Sequence, residues 1–140
     1  MKLTVDASVW IAAASDDEPH HEECRRFMVR ALATRTAFHE PSLAIVEVCA
    51  AIARKTRTPA LGVEAAAAML ATPGLVLDPL DLDAAGEAAE LAAATFLKSA
   101  DAVYLATARR AGVALVSLDE AHLTRAAGVV PVLRPRDWVP

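Results

Sequence analysis

Four carboxylates in this 140-residue chain stand where metal-assisted hydrolysis would need them: Asp6, Glu47, Asp101 and Asp119. Asp6 closes the short β-branched run KLTV, and Asp119 follows the apolar run Val113 to Leu118. In an open parallel sheet, ligands gather outside the carboxyl ends of the strands, so these two acids belong to one edge. Asp101 falls in the first turn of a helix that Ser99 would cap. Glu47 is the only charged side chain between Ser42 and Ala53, set as IVEVC in a segment otherwise fit for burial. A lone carboxylate there needs a partner. Hard oxygen ligands suit Mg²⁺ or Mn²⁺, and such an ion lowers the pKa of bound water and offsets charge on transferred phosphoryl oxygens. Ser8 and Ser117, each two residues from one of the aspartates, are placed to orient a carboxylate or a metal-bound water, or else to serve as turn hydroxyls.

Each acid also has an ordinary structural explanation. Asp6 and Asp119 suit N-caps, Asp101 suits the positive end of a helix, and Glu47 could pair with Arg54 at helical spacing. Caps replaced by Asn should be nearly neutral and by Ala should cost about 0.5 to 2 kcal/mol. Metal ligands repel one another when no metal is bound, so Asn at Asp6 or Asp119 should raise the melting temperature of the metal-free protein. Four acids gathered with few matching cations favour a bound divalent ion over four independent caps. Zinc is disfavoured, because His20, His21, His39 and His122 are scattered and read as surface residues. No G-x-S-x-G, Walker or G-x-G-x-x-G pattern supplies another chemistry.

The elements that must position these residues follow from periodicity. Strand 2 to 5 leads into the helical SVWIAAAS, and a second helix runs from Pro19 to about Thr34. Thr36 to Phe38 forms a brief strand before the long helix that Pro41 opens, SLAIVEVCAAIARKT. Further helices cover Pro59 to Ala71, Asp81 to Phe96 and Ala100 to Ala111, the last closed by Gly112. Leu75 to Leu77, Val113 to Leu118 and Val129 to Leu133 are strands, and Asp119 starts a helix that Gly128 ends. Strands alternating with helices imply right-handed crossovers, so the class is α/β in three layers around a short central parallel sheet. One compact unit over 1 to 140 is expected.

Composition narrows the function. At 55% apolar and 4% aromatic residues, many of them alanine, the chain should be mainly helical. Charges interrupt every apolar stretch before membrane-spanning length, and no signal peptide opens the sequence, so a soluble cytoplasmic protein is expected. Cys24 and Cys49 lack zinc spacing and read as buried free thiols in a reducing compartment. The net charge of −4 argues against simple coating of nucleic acid, though two basic clusters, Arg25, Arg26, Arg30 and Arg35, and Arg54, Lys55 and Arg57, face either solvent or phosphate.

The arrangement resembles the PIN-domain ribonucleases, and within them the VapC-like toxins of toxin-antitoxin pairs. The likeness covers nearly the whole chain and rests on LTVDASVWIAA at Asp6, SLAIVEVCAAI at Glu47, SADAVYLATA at Asp101 and ALVSLDEAHL at Ser117 and Asp119. It implies a Mg²⁺- or Mn²⁺-dependent endoribonuclease, with Asp6, Glu47, Asp101 and Asp119 as catalytic and metal-holding groups and Ser8 and Ser117 in support. The family's further acid after the last aspartate has Glu120 as its nearest counterpart here. The resemblance also implies a tRNA, rRNA or mRNA substrate, a homodimer, and a cognate antitoxin that lays a peptide in an apolar groove and pushes a basic side chain towards the acids. The competing reading is a catalytically silent PIN-like scaffold or RNA-binding module, whose mark would be loss of an acid; all four are present.

Overall fold

The computed structural model describes residues 1 to 140. In chain order the elements are β1 (Lys2–Val5), α1 (Ala7–Ala14), α2 (His21–Ala33), β2 (Ala37–Pro41), α3 (Leu43–Thr56), α4 (Pro59–Leu70), β3 (Leu75–Asp78), α5 (Leu82–Thr95), α6 (Ser99–Ala111), β4 (Ala114–Val116) and β5 (Val132–Leu133). A π-helical turn, His122–Ala126, and a 3-10 turn, Pro135–Asp137, complete the chain.

All five strands are parallel, in the order β3-β2-β1-β4-β5. Helices cover both faces of this sheet, giving the three-layer α/β/α class expected. Leu3, Thr4 and Val5 are all buried, as a central strand covered on both faces requires. The chain builds outward from β1 to β3, then crosses back to add β4 on the other side of β1. That reversal makes the β1/β4 boundary the topological switch point, where a crevice opens beyond the strand ends.

Several boundaries differ from the periodicity reading. β2 runs on to Pro41 because Glu40 and Pro41 pair with Leu77 and Asp78, which draws Glu40 into the sheet. β4 stops at Val116, and β5 is only two residues long. α3 and α4 pack closely because Gly62 faces α3: a Cβ there would lie 2.5 Å from the Cys49 carbonyl oxygen and 2.7 Å from Ala53 Cβ. Cys24 is buried, and burial pushes its thiol up to about 12, whereas Cys49 is only half-buried, and both are free. No helix is long and apolar enough to cross a membrane.

Candidate functional site

Asp6 follows β1 and Asp119 follows β4, so the two strands flanking the switch point each deliver one acid to the same edge. α6 brings Asp101 to that edge in its first turn, and α3 brings Glu47 from the other side. All four line one cleft of 470 Å³, with Ser8, Ile11, Val46 and Arg54 also on its walls.

Asp6 occupies the N-cap position of α1 but makes no side-chain cap bond. Its Oδ2 instead accepts the hydroxyls of Ser8 at 2.5 Å and Ser117 at 2.9 Å, so Oδ1 is the oxygen left for a ligand. Both serines therefore act on the same carboxylate. Burial alone would push Asp6 up, but His122 and the two hydroxyls outweigh it and hold the carboxyl below the ordinary range.

His122 overturns the expectation of four surface histidines. His20 is exposed and His21 and His39 are partly buried, but His122 is fully buried behind the acids. It stands three residues after Asp119, and the π-helical turn swings it inward between β4 and α6. Its Nδ1 lies 3.0 Å from Ser117 Oγ and 3.7 Å from Asp6 Oδ2, and its Nε2 lies 3.1 Å from the Asp101 carbonyl oxygen and 3.8 Å from Asp101 Oδ1. The Ser117 hydroxyl gives its one hydrogen to Asp6 and accepts the Asp119 N–H, so Nδ1 must donate to it. Nε2 faces a carbonyl and must donate too. That hydrogen-bond assignment puts a hydrogen on both nitrogens and favours the imidazolium: burial pushes its pKa down, but Asp6 and the Asp101 carbonyl raise it above the ordinary value. Ligand atoms of Asp6, Asp101 and His122 lie within 4.8 Å of one another. With both nitrogens engaged, however, His122 serves the carboxylates as counter-ion and offers no lone pair to a metal.

Glu47 takes its partner from α6, where the Tyr104 hydroxyl donates to Oε2 at 2.5 Å. Arg54 makes no ion pair with it and stands two turns further along α3 on the cleft wall. Burial raises the pKa of Glu47, against the Tyr104 bond, and the charges of Asp6 and Asp101 raise it further. Asp101 is raised as well, first by burial, with Asp6 and Asp119 repelling it and His122 and Lys98 opposing the rise. Asp119 is exposed and accepts the Ala121 N–H at 2.7 Å, so it caps its turn while lining the cleft. Glu120 lies apart, paired with Arg134 at the surface.

The donor set fits a hard divalent cation. It consists of carboxylate oxygens without thiols, and two of its members are held above their ordinary pKa by burial and mutual repulsion that a dication would relieve. One imidazolium cannot balance the four acids.

A second buried acid lies near this edge and was not singled out by pattern. Glu40 is fully buried at the end of β2, its Oε1 accepts the Val5 N–H at 2.8 Å, and its Oε2 has no partner. Burial pushes its carboxyl well above the ordinary range, opposed by the Val5 N–H and the Trp10 indole and reinforced by Asp6 and Asp78. The basic clusters separate: Arg25, Arg26 and Arg30 line another cleft with Arg136, Lys55 pairs with Asp17 and Glu18, and Arg54 alone reaches the acids.

A sequence profile described as the PIN domain matches residues 3–129. No curated protein sequence matches the chain. Among solved structures, VapC20 of Mycobacterium tuberculosis, described as a Sarcin-Ricin loop cleaving toxin, superposes with a TM-score of 0.75 at 22% identity, covering 94% of this chain and 98% of that one. VapBC2 of Rickettsia felis, bound to a DNA fragment from its promoter, gives 0.73 at 10% identity, covering 96% and 98%. DNA-bound VapBC of Salmonella typhimurium gives 0.70 at 15% identity over the same shares. At these identities the structural likeness speaks for the fold.

Proposed function

The chain belongs to the PIN-domain family, and from that premise we propose that it is a Mg²⁺- or Mn²⁺-dependent endoribonuclease, the toxin of a type II toxin-antitoxin pair, working in the cytoplasm. The observation that carries the reading is the meeting of Asp6, Glu47, Asp101 and Asp119 in one cleft at the switch point of the sheet. When bound, a divalent cation supplies an activated water and offsets charge on the phosphoryl oxygens.

The protein's own groups prepare that site. Ser8 and Ser117 fix Asp6 with Oδ1 free, and His122 behind it keeps the carboxylate ionised. Asp101, Glu47 and Asp119 complete the oxygen set, with Tyr104 holding the Glu47 carboxylate in place. Arg54, on the cleft wall, is placed to meet a phosphate of the RNA strand.

A cognate antitoxin and a homodimer belong to the same reading. The apolar groove that Trp10, Met28, Val48, Ala65 and Met69 line is suited to a partner's apolar peptide segment. The substrates to test are tRNA, rRNA and mRNA, and one structural neighbour is described as a Sarcin-Ricin loop cleaving toxin. The deciding experiment is cleavage of these RNAs with Mg²⁺ or Mn²⁺. Activity should vanish in EDTA and fall by orders of magnitude in Asp6→Asn and Asp101→Asn. Unchanged cleavage in excess EDTA would refute the reading.

A further inference from the structure

α5 ends on Phe96, which takes the left-handed conformation at φ 57 and ψ 23. Helix ends of this kind default to Gly, because a Cβ is disfavoured there, and a bulky side chain is a genuine outlier. Arg35 and Arg57 adopt the same φ range, but their side chains are cations that water solvates. Phe96 adds a second cost: its side chain is 81% exposed. A strained backbone and a solvated aromatic ring coincide at one residue, and neither contributes to folding.

The surroundings of that ring point to its use. Leu97, the next residue, is buried, while Phe96 is left exposed. The Phe96 carbonyl accepts Arg125 Nη1 at 2.8 Å, and Arg125 lies three residues beyond His122, the counter-ion of the carboxylates. Five residues after Phe96 comes Asp101, which feels the charge of Lys98 in the same loop. The backbone of Phe96 is therefore tied to Arg125 in the short loop that leads into α6, whose first turn carries Asp101, and Lys98 follows two residues on. An exposed aromatic flanked by cations is how proteins hold single-stranded nucleic acid, by stacking a base and pairing its phosphates.

We propose that Phe96 is a positioning residue that stacks an unpaired RNA base next to the phosphate held in the Asp6, Glu47, Asp101 and Asp119 cleft. The proposal rests on the ribonuclease reading and adds a preference: the substrate must present an unstacked base near the cut, as a loop or single strand does.

Phe96→Gly and Phe96→Trp test it. Gly relieves the backbone strain, so its melting temperature should equal or exceed that of the wild type, while KM for a loop-containing RNA rises about 5- to 100-fold with kcat little changed. Trp should restore KM. Wild-type KM in the Gly variant overturns the proposal, as does conversion of a wild-type dimer to monomer by Phe96→Gly with RNA affinity intact, which would make the ring a contact between copies. In an Asp101→Asn background that does not cut, Trp at position 96 should be quenched by a short unstructured RNA and not by a blunt RNA duplex. Trp10 and Trp138 are buried and should report little. Emission unmoved by RNA that filter binding shows to be bound overturns stacking. A wild type that cuts no RNA at all refutes the ribonuclease reading, and the emission titration then decides stacking by itself.

Discussion

At the scale of single residues, neighbouring acids of the cleft should respond oppositely to the same change. The sequence alone suggests that Asn at Asp6 relieves repulsion, but His122 reverses that for this position. The folded-state pKa of Asp6 is depressed, so its charge contributes stability above the ordinary value of 3.8, lost as pH falls through the lower folded value. At neutral pH, Asp6→Asn should lower the melting temperature of the metal-free protein and strand a buried imidazolium. The folded pKa of Asp101 is raised, so its charge opposes folding once pH exceeds the ordinary carboxylate value. Asp101→Asn should therefore raise the melting temperature of the metal-free protein. Saturating Mn²⁺ should stabilise the wild type, by about 2.7 kcal/mol at a hundredfold excess over Kd, and both variants much less. Equal shifts in all three proteins, read by thermal melts, would remove these residues from the metal site. Glu40 gives a separate test. Its carboxyl binds a proton more tightly folded than unfolded, so its contribution is whole below about pH 4.5 and is lost as pH rises through the elevated folded value. Glu40→Gln keeps the Val5 contact without an ionisable group, so its stability advantage over the wild type should widen as pH rises above 4.5. A gap that stays flat with pH would show Glu40 to be ionised in the fold.

At the scale of elements, α3 and α4 show how a helix's position controls the cleft. α3 carries Glu47 and Arg54, and its spacing from α4 depends on the missing side chain of Gly62. Helix propensity favours Ala over Gly by about 1 kcal/mol, yet the Cβ of Gly62→Ala would meet the Cys49 carbonyl at 2.5 Å, a backbone atom that cannot turn aside. Overpacking should dominate and cost about 1 to 3 kcal/mol, with RNA cleavage reduced as α3 shifts. Gly86 on α5 has nothing within 4 Å of an added Cβ, so Gly86→Ala should instead stabilise by up to about 1 kcal/mol with cleavage unchanged. Chemical denaturation of the pair checks both signs. The same elements explain what was legible in advance. Long periodic segments gave α3, α4, α5 and α6, and placement after strands brought out Asp6 and Asp119. Glu40 and His122 stayed hidden because their burial depends on partners distant in sequence: β3 pairing extends β2, and β1 and α6 supply the acceptors around the imidazole. Tyr104 stands one turn after Asp101, and nothing in its spacing alone pairs it with Glu47, 57 residues away in sequence.

At the scale of the whole molecule, the strand order gathers the acids, and the remaining surface decides what the protein meets. Carboxylates reach the β1/β4 crevice from four separate stretches of chain, so a net charge of −4 is compatible with the phosphate-handling site proposed above: these acids stand where cations would bind. Away from that edge, α4 packs one face on α3 and turns another outward. Val63, Ala67 and Leu70 recur at helical steps of four and three on this outer face, with Val63 63% and Leu70 52% exposed. Alanine and leucine could have been absorbed inside the protein, and Ala66 and Met69 on the same helix are, but this stripe is left in water. Two-fold pairing would bury the stripe of one copy against that of another, because an isologous contact needs only one self-complementary patch. Sedimentation velocity at micromolar concentration should therefore show a dimer, and Val63→Glu with Leu70→Glu should convert it to monomer. Both side chains are largely solvated in the single chain, so the melting temperature of the dissociated variant should stay close to that of monomeric wild type at high dilution. A wild type that remains monomeric at micromolar concentration, or a dimer indifferent to both charges, would place the self-association surface elsewhere or remove it.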